Sequence, residues 1–284
     1  LRAQGDGGPF RVVSYGSSGI LPPNTAMLAG VHDVRGYDTV IPRQYVEFWR
    51  LMEEPSGLPY SQINRIATPE GLGSPYLDLM NVRFVLAQQP LTVPGFRQVF
   101  ERDGVLAYEN TEVMPRAFLV FAADEVADLA DALRTMRGAA FDPTITAVVQ
   151  GPGLTGRRRP YQPASVVEYT PGRVAVRASV SEPAYLVLTD AYFEGWQAHG
   201  GDGRLLDVVR ANGVFRGVRL EPGEHLVTFS YRPVSFRLGG YLSFVGLVLV
   251  LLMAGYAAWQ RVASPLPAGG PAAARVMRNS ITPL

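Results

Sequence analysis

The chain has 284 residues, a formal net charge of +1 and no cysteine. Lack of thiols excludes disulfides, thiolate metal sites and cysteine nucleophiles. The balanced charge, with all 26 basic residues being arginine, supplies no bulk field to attract nucleic acid.

In chain order, PFRVVSYG (Pro9 to Gly16) predicts a strand. The segment HDVRGYDTVIPRQYVEF (His32 to Phe48) opens with Arg35, Tyr37 and Asp38, followed by Arg43, a set that suits a polar pocket for an anionic headgroup or a lipid-linked phosphate. The same residues equally suit a turn at Gly36 with Arg35 paired to Asp38. Pro42 to Glu54 predicts a helix with Pro in its first turn and apolar residues at Tyr45, Phe48, Trp49 and Met52. Leu77 to Ala87 reads as a helical half followed by a strand half. Asp103-Gly104 between two alternating segments predicts a hairpin over Phe96 to Asn110, and Pro115 to Phe121 a further strand. Apolar residues at Val126, Leu129, Ala130, Leu133 and Met136 predict one helix over Ala123 to Gly138, ended by the glycine.

After Asp142-Pro143 and the loop Gly151 to Pro163 the pattern changes. Seven short alternating segments follow: SVVEYT, GRVAVRASV, AYLVLTDAY, GWQAHG, RLLDVVRA, VFRGVRL and EHLVTFSYRP. Turn signals at Pro171-Gly172, Glu182-Pro183, Gly200 to Gly203 and Glu221-Pro222-Gly223 separate them. This spacing predicts an antiparallel sandwich of the jelly-roll or immunoglobulin-like kind. Leu238 to Trp259 is then an uncharged run of 22 residues, enough to cross a hydrocarbon core of roughly 30 Å. Tyr241 and Trp259 lie near its ends, where amphipathic rings favour the headgroup layer, and Arg237 and Arg261 bracket it. The fold expected is α+β, with a mixed unit over 1–143, a sandwich over 144–233, a transmembrane helix over 234–262 and a flexible tail over 263–284. Arg261, Arg275 and Arg278 follow the helix while Arg232 and Arg237 precede it, which points the tail to the cytoplasm and the folded part outward. The chain opens at Leu1 without a signal segment, and is expected to be the tail of a longer multi-pass protein.

Chemistry-bearing motifs are sparse. His32, His199 and His225 have no metal-ligand spacing, and the glycine-serine strings at Gly16 to Gly19 and Gly71 to Ser74 lack the lysine of a phosphate loop, so both read as turns. Neither a metal nor a cofactor is expected. Arg157-Arg158-Arg159 is a solvated loop run, or a foot against anionic lipid if the loop meets a bilayer. The densest cluster is TDAYFEGWQAHGGDG, Thr189 to Gly203. Asp190 and Glu194 lie there among Tyr192 and Trp196, and aromatic faces beside carboxylates are one way to hold a sugar. A bend at Gly195 with Trp196 in the core is the other reading of the same residues.

Taken in order, PFRVVSYG, AMLAGVHDVRGYDTVIPRQYVEFW, LDLMNVRFVL, LAYENTEVMPRAFLV and LVLTDAYFEGWQAHGGDGRLLDVVRANGVFRGVRLEPGEHLVTFSYRPVSFRLGGYLS resemble the C-terminal part of YfhO-family bacterial membrane proteins. The carrying features are the aromatic-Gly-Trp strand (Phe193 to Trp196), the Arg-Ala-Asn turn (Arg210 to Asn212), the Pro-Gly-x-His hairpin (Pro222 to His225) and the Tyr-x-Pro exit (Tyr231 to Pro233). The resemblance implies a polytopic cell-membrane protein similar to lipid-carrier-dependent glycosyltransferases of the GT-C type. Its partners would be the bilayer, a polyprenyl-phosphate-sugar donor and a cell-envelope glycan acceptor. Catalytic carboxylates in such enzymes lie in an early outer loop, so the resemblance carries no catalytic residue onto this chain. An accessory module that positions an acceptor glycan or braces the membrane core is the expectation, and a purely structural, partner-binding ectodomain is the alternative.

Overall fold

Adjacent valines in the first predicted strand point to burial on both faces, since successive side chains of a strand point oppositely, and β1 (Arg11–Ser14) buries Val12, Val13 and Ser14. The structure is a computed structural model that describes residues 8–17, 19–37, 41–53, 62–63 and 65–263. It divides into two units, Leu1–Pro233 and Val234–Leu284.

Within the first unit, β2 (His32–Asp33) runs parallel to β1, while β3 (Gly36–Tyr37) and β4 (Gln62–Ile63) form a small pair of their own. The helix α1 (Arg43–Trp49) starts after Pro42 and buries Val46, Phe48 and Trp49. Two short helices, α2 (Pro69–Leu72) and α3 (Pro75–Leu79), each carry Pro in the first turn. Each also has a hydroxyl cap, with Thr68 accepting from the Gly71 N–H and Ser74 from the Tyr76 N–H, satisfying donors that a helix start leaves free. The predicted turn at Gly71 to Ser74 is thus the end of one helix and the cap of the next. From α3 the chain enters β5 (Val82–Ala87), parallel to β1. The hairpin of β6 (Phe96–Arg102) and β7 (Val105–Asn110) turns on Asp103 and Gly104, at φ 52° and 75°, the left-handed pair that a tight hairpin requires. These strands make a five-stranded sheet in the order β2-β1-β5-β7-β6.

The next strands are β8 (Ala117–Val120) and β9 (Ala123–Glu125), followed by the helix α4 (Leu129–Arg137). The helix expected from Ala123 starts six residues later. Asp128 caps it by accepting from the Asp131 N–H, and the residues before the cap pair in parallel with β10 (Ala147–Gln150). Then come β11 (Gln162–Pro163), β12 (Ser165–Thr170), β13 (Arg173–Val180), β14 (Ala184–Ala191), β15 (Trp196–His199), β16 (Leu205–Leu206), β17 (Val208–Ala211), β18 (Phe215–Leu220) and β19 (Gly223–Tyr231). The segment RLLDVVRA, expected as one strand, is two strands in different sheets. β16 pairs with β15, and after Asp207 β17 pairs with β10 and β18.

A seven-stranded sheet, β11-β8-β14-β18-β17-β10-β9, faces a five-stranded antiparallel sheet, β12-β13-β19-β15-β16. The seven-stranded sheet is central. On one face Phe118, Val120, Tyr185, Val187 and Phe215 join the core beneath α1, α3 and β5. On the other, Ala117, Leu119, Leu186, Leu188 and Val218 pack against Val176, Val227 and Phe229. Burial on both faces is why AYLVL reads as a continuous apolar run. The expected boundary at residue 143 falls inside this layer, since β8 and β9 precede it and β10, β14, β17 and β18 follow it.

The second unit contains α5 (Val234–Ala263), 30 residues with none buried. It starts four residues before the uncharged run and includes Arg237 and Arg261. Among the described residues it is the one helix long and apolar enough to cross a membrane. Leu, Val, Phe and Met are exposed along its length, and each such side chain left in water forgoes about 1.5–3 kcal/mol of burial. The helix therefore fits membrane association.

Candidate functional site

Asp190 is the one charged residue of β14 and stands next to its end, and its position follows from a break in pairing. β14 loses register with β18 between Leu188, opposite Arg216, and Ala191, opposite Phe215. Thr189 and Asp190 form the resulting bulge, a device that re-aims a side chain. The Asp190 carboxylate points to a place where all three large sheets contribute residues.

Three arginines meet it. Arg11 of β1 approaches Oδ1 to 3.0 Å, Arg116, just before β8, approaches the same oxygen to 2.6 Å, and Arg216 of β18 approaches Oδ2 to 3.2 Å. Tyr169 of β12 donates to Oδ1 at 3.1 Å and accepts from Arg116. Arg11 also donates to the Thr189 carbonyl at 2.6 Å and the Met80 carbonyl at 2.7 Å, tying the N-terminal sheet to the central one. Burial raises the Asp190 pKa, but Arg116, Arg11, Arg216 and the Tyr169 hydrogen bond together outweigh it and hold the carboxyl below the usual range. Burial lowers the Arg11 and Arg216 guanidiniums to about 10, which leaves both charged at neutral pH. His32, whose ring lies 5.0 Å from that of Tyr169, is pushed down by burial and then by Arg116 and Arg11, and is neutral there. A carboxylate with both oxygens engaged and its proton affinity reduced is a poor general base.

An open cleft of about 470 Å³ lies over this cluster, walled by Tyr169, Phe193 and Trp196 and reached by Arg35 and His32. Trp196, half-buried at the start of β15, carries the Arg216 guanidinium 3.7 Å from its ring centroid and the Tyr231 ring at 5.3 Å. Gly195, at φ 100°, lets the chain bend against Pro233 just before it. Phe193 is 40% exposed at the rim.

The residues singled out in the sequence separate in space. Asp190, Trp196 and Arg35 line this cleft. Tyr192 and Glu194 line a neighbouring one of about 460 Å³ with Gln44, Gln150 and Arg210, and Arg210 lies 5.0 Å over the Tyr192 ring. Only Phe193 belongs to both. Arg35 is paired with Asp33 at 2.6 Å and donates to the Leu21 carbonyl and to Ser14. Tyr37 lies on β3 opposite Gln62, and Asp38 lies outside the described residues. Arg43, exposed at the start of α1, pairs with Glu47 at 3.9 Å. In the arginine run, Arg158 is held by Asp124 and Arg159 by Glu182, both at 2.9 Å, with Arg159 also 3.5 Å over the Phe121 ring. Sequence reasoning passed over Arg11, Arg116, Arg216 and Tyr169, and weighed His32 only as a metal ligand. The available signal was arginine set among Val, Leu and Phe in PFRVVSYG, PRAFLVF and VFRGVRL.

No protein-family profile matches the chain, and no curated protein matches it. Among solved structures it is similar to the arabinofuranosyltransferase AftD from Mycobacteria, with 25% identity over 35% of this chain and 8% of that one and a TM-score of 0.26. Two structures of a mutant of the same protein give 26–27% identity over 40% of this chain, with TM-scores of 0.27. The chain spans less than a tenth of the length of those proteins.

Proposed function

We propose that this chain is an extracytoplasmic accessory module of a polytopic membrane protein resembling lipid-carrier-dependent glycosyltransferases of cell-envelope polymers, and that it positions an acceptor glycan in the cleft above Asp190. The carrying observation is the cleft itself. Tyr169, Phe193 and Trp196 offer ring surface beside charged groups, the combination that covers a sugar's C–H face while engaging its hydroxyls. The ordered YfhO-like segments, Phe193 to Trp196 and Arg210 to Asn212 among them, supply the membrane-transferase context. Because Asp190 is locked by arginines, this chain would hold substrate and leave the chemistry to other parts of the protein.

One observation favours a second, purely structural reading: Arg216 covers a face of Trp196. Phe193→Ala in the intact, membrane-embedded protein separates the two, since this ring is at the rim and outside the packed cores. Binding of labelled cell-envelope glycan is expected to fall several-fold with the melting temperature unchanged. Equal binding by the variant and the parent would favour the structural reading.

A further inference from the structure

We propose that the floor of this cleft is an oxyanion site for a phosphate or carboxylate group carried by a sugar. The idea deepens the glycan reading and rests on it for the sugar, while the anion site stands on its own residues. Four guanidiniums, those of Arg11, Arg35, Arg116 and Arg216, line the cleft against two carboxylates, Asp33 and Asp190. Arg35 and Asp33 neutralise each other. Asp190 alone faces the other three, so the floor carries an excess of two positive charges.

The hydrogen bonding is incomplete in the same place. Arg116 and Arg216 are 5% and 3% exposed. Yet Nη1 of Arg116, Nε and Nη1 of Arg216 and Nδ1 of His32 have neither a partner nor accessible surface. Buried guanidinium N–H groups without an acceptor are costly and uncommon, and those of Arg116 and Arg216 belong to side chains that line the cleft. What they lack is negative charge with several acceptor oxygens, which phosphate and carboxylate supply in the planar geometry that arginine matches. A neutral sugar alone would leave the charge excess untouched. Tyr169, Phe193 and Trp196 stand around the same floor, placed to cover the ring that carries the anion.

The test uses the full chain in detergent micelles, with thermal unfolding followed in inorganic phosphate, glucose 1-phosphate, glucuronate and glucose, each against sodium chloride at equal ionic strength. At millimolar concentration, phosphate or glucuronate is expected to raise the melting temperature by several degrees, and glucose to leave it unchanged. A response to phosphate alone identifies a phosphorylated ligand, and a response to glucuronate alone an acidic sugar. Arg216→Gln should weaken the anion at least about tenfold. Asp190→Asn, which removes the competing carboxylate, should strengthen it and keeps the test decisive if Arg216→Gln does not fold. Stabilisation no greater than that of chloride, or equal in parent and variants, overturns the site. Glucose 1-phosphate binding no tighter than inorganic phosphate would sink the glycan reading and leave the oxyanion site standing.

Discussion

Asp78 illustrates how one buried group sets a pH response. It lies in α3, accepts from the Asn110 side chain at 2.6 Å, and is pushed up to about 7 by burial, against the lowering effect of that hydrogen bond. An acid whose folded pKa exceeds its unfolded one takes up its proton on folding. Stability is therefore highest below about pH 4 for this group and declines as pH rises toward 7, by at most about 4 kcal/mol. Asp78→Asn keeps the acceptor for Asn110 and removes the ionisation. Urea unfolding should show the variant more stable at pH 7.5, with little of the parent's loss between pH 5 and 7; parallel curves would contradict the assignment. Asp190 has the opposite sign, so its contribution fades as pH falls. At this scale the sequence was only partly legible. Asp190 and Trp196 stood out among aromatics, but Arg11 lies 179 residues from Asp190 and Arg116 lies 74 from it. Nothing in their local strings indicates that they converge.

Elements with a strong local cause were the legible ones. The Asp103-Gly104 hairpin, the strands β12, β13, β14, β15, β18 and β19, and the helix-to-strand passage from α3 to β5 follow from turn chemistry and periodicity. Those set by long-range pairing were not. Ala123–Glu125 carries a helical pattern but is held in a strand by β10, and Asp207 divides RLLDVVRA, a run without Gly or Pro to mark the break. Backbone constraint is concentrated at Gly195, where φ is 100° and an added Cβ would come within 2.9 Å of the Pro233 Cα. Arg232 also donates its N–H to the Gly195 carbonyl at 2.7 Å, so the two segments cannot separate freely. Gly195→Ala is expected to cost roughly 1–2 kcal/mol from the left-handed backbone alone, with the contact adding to it. Chemical denaturation measures this; a loss below a few tenths of a kcal/mol would show that the bend relaxes readily.

For the whole molecule, the membrane helix was the most legible feature, because length and unbroken apolarity suffice to find it. The proposed sidedness rests on the arginine count alone and is open to a direct test, since the chain has no cysteine of its own. A single cysteine at Arg204 should react with an impermeant maleimide in intact cells, and one at Ser280 only after the membrane is opened. The reverse pattern would invert the proposed topology. The boundary at residue 143 was drawn from a real change in composition, which marks where helices give way to strands. It could not reveal that β8 is enclosed by β11 and β14, and that β9 pairs with β10, all strands that come later in the chain.

That enclosure has a practical outcome for anyone dissecting the protein. A fragment stopping at residue 143 would keep Phe118 and Val120 against α1, α3 and β5 but would leave Ala117 and Leu119 uncovered and β8 without either sheet neighbour, and the complementary piece would lack one inner ribbon and one at the edge. Neither half is suited to production alone, whereas the two made together have every reason to find each other, so residues 8–233 are the smallest portion to attempt as a separable soluble product.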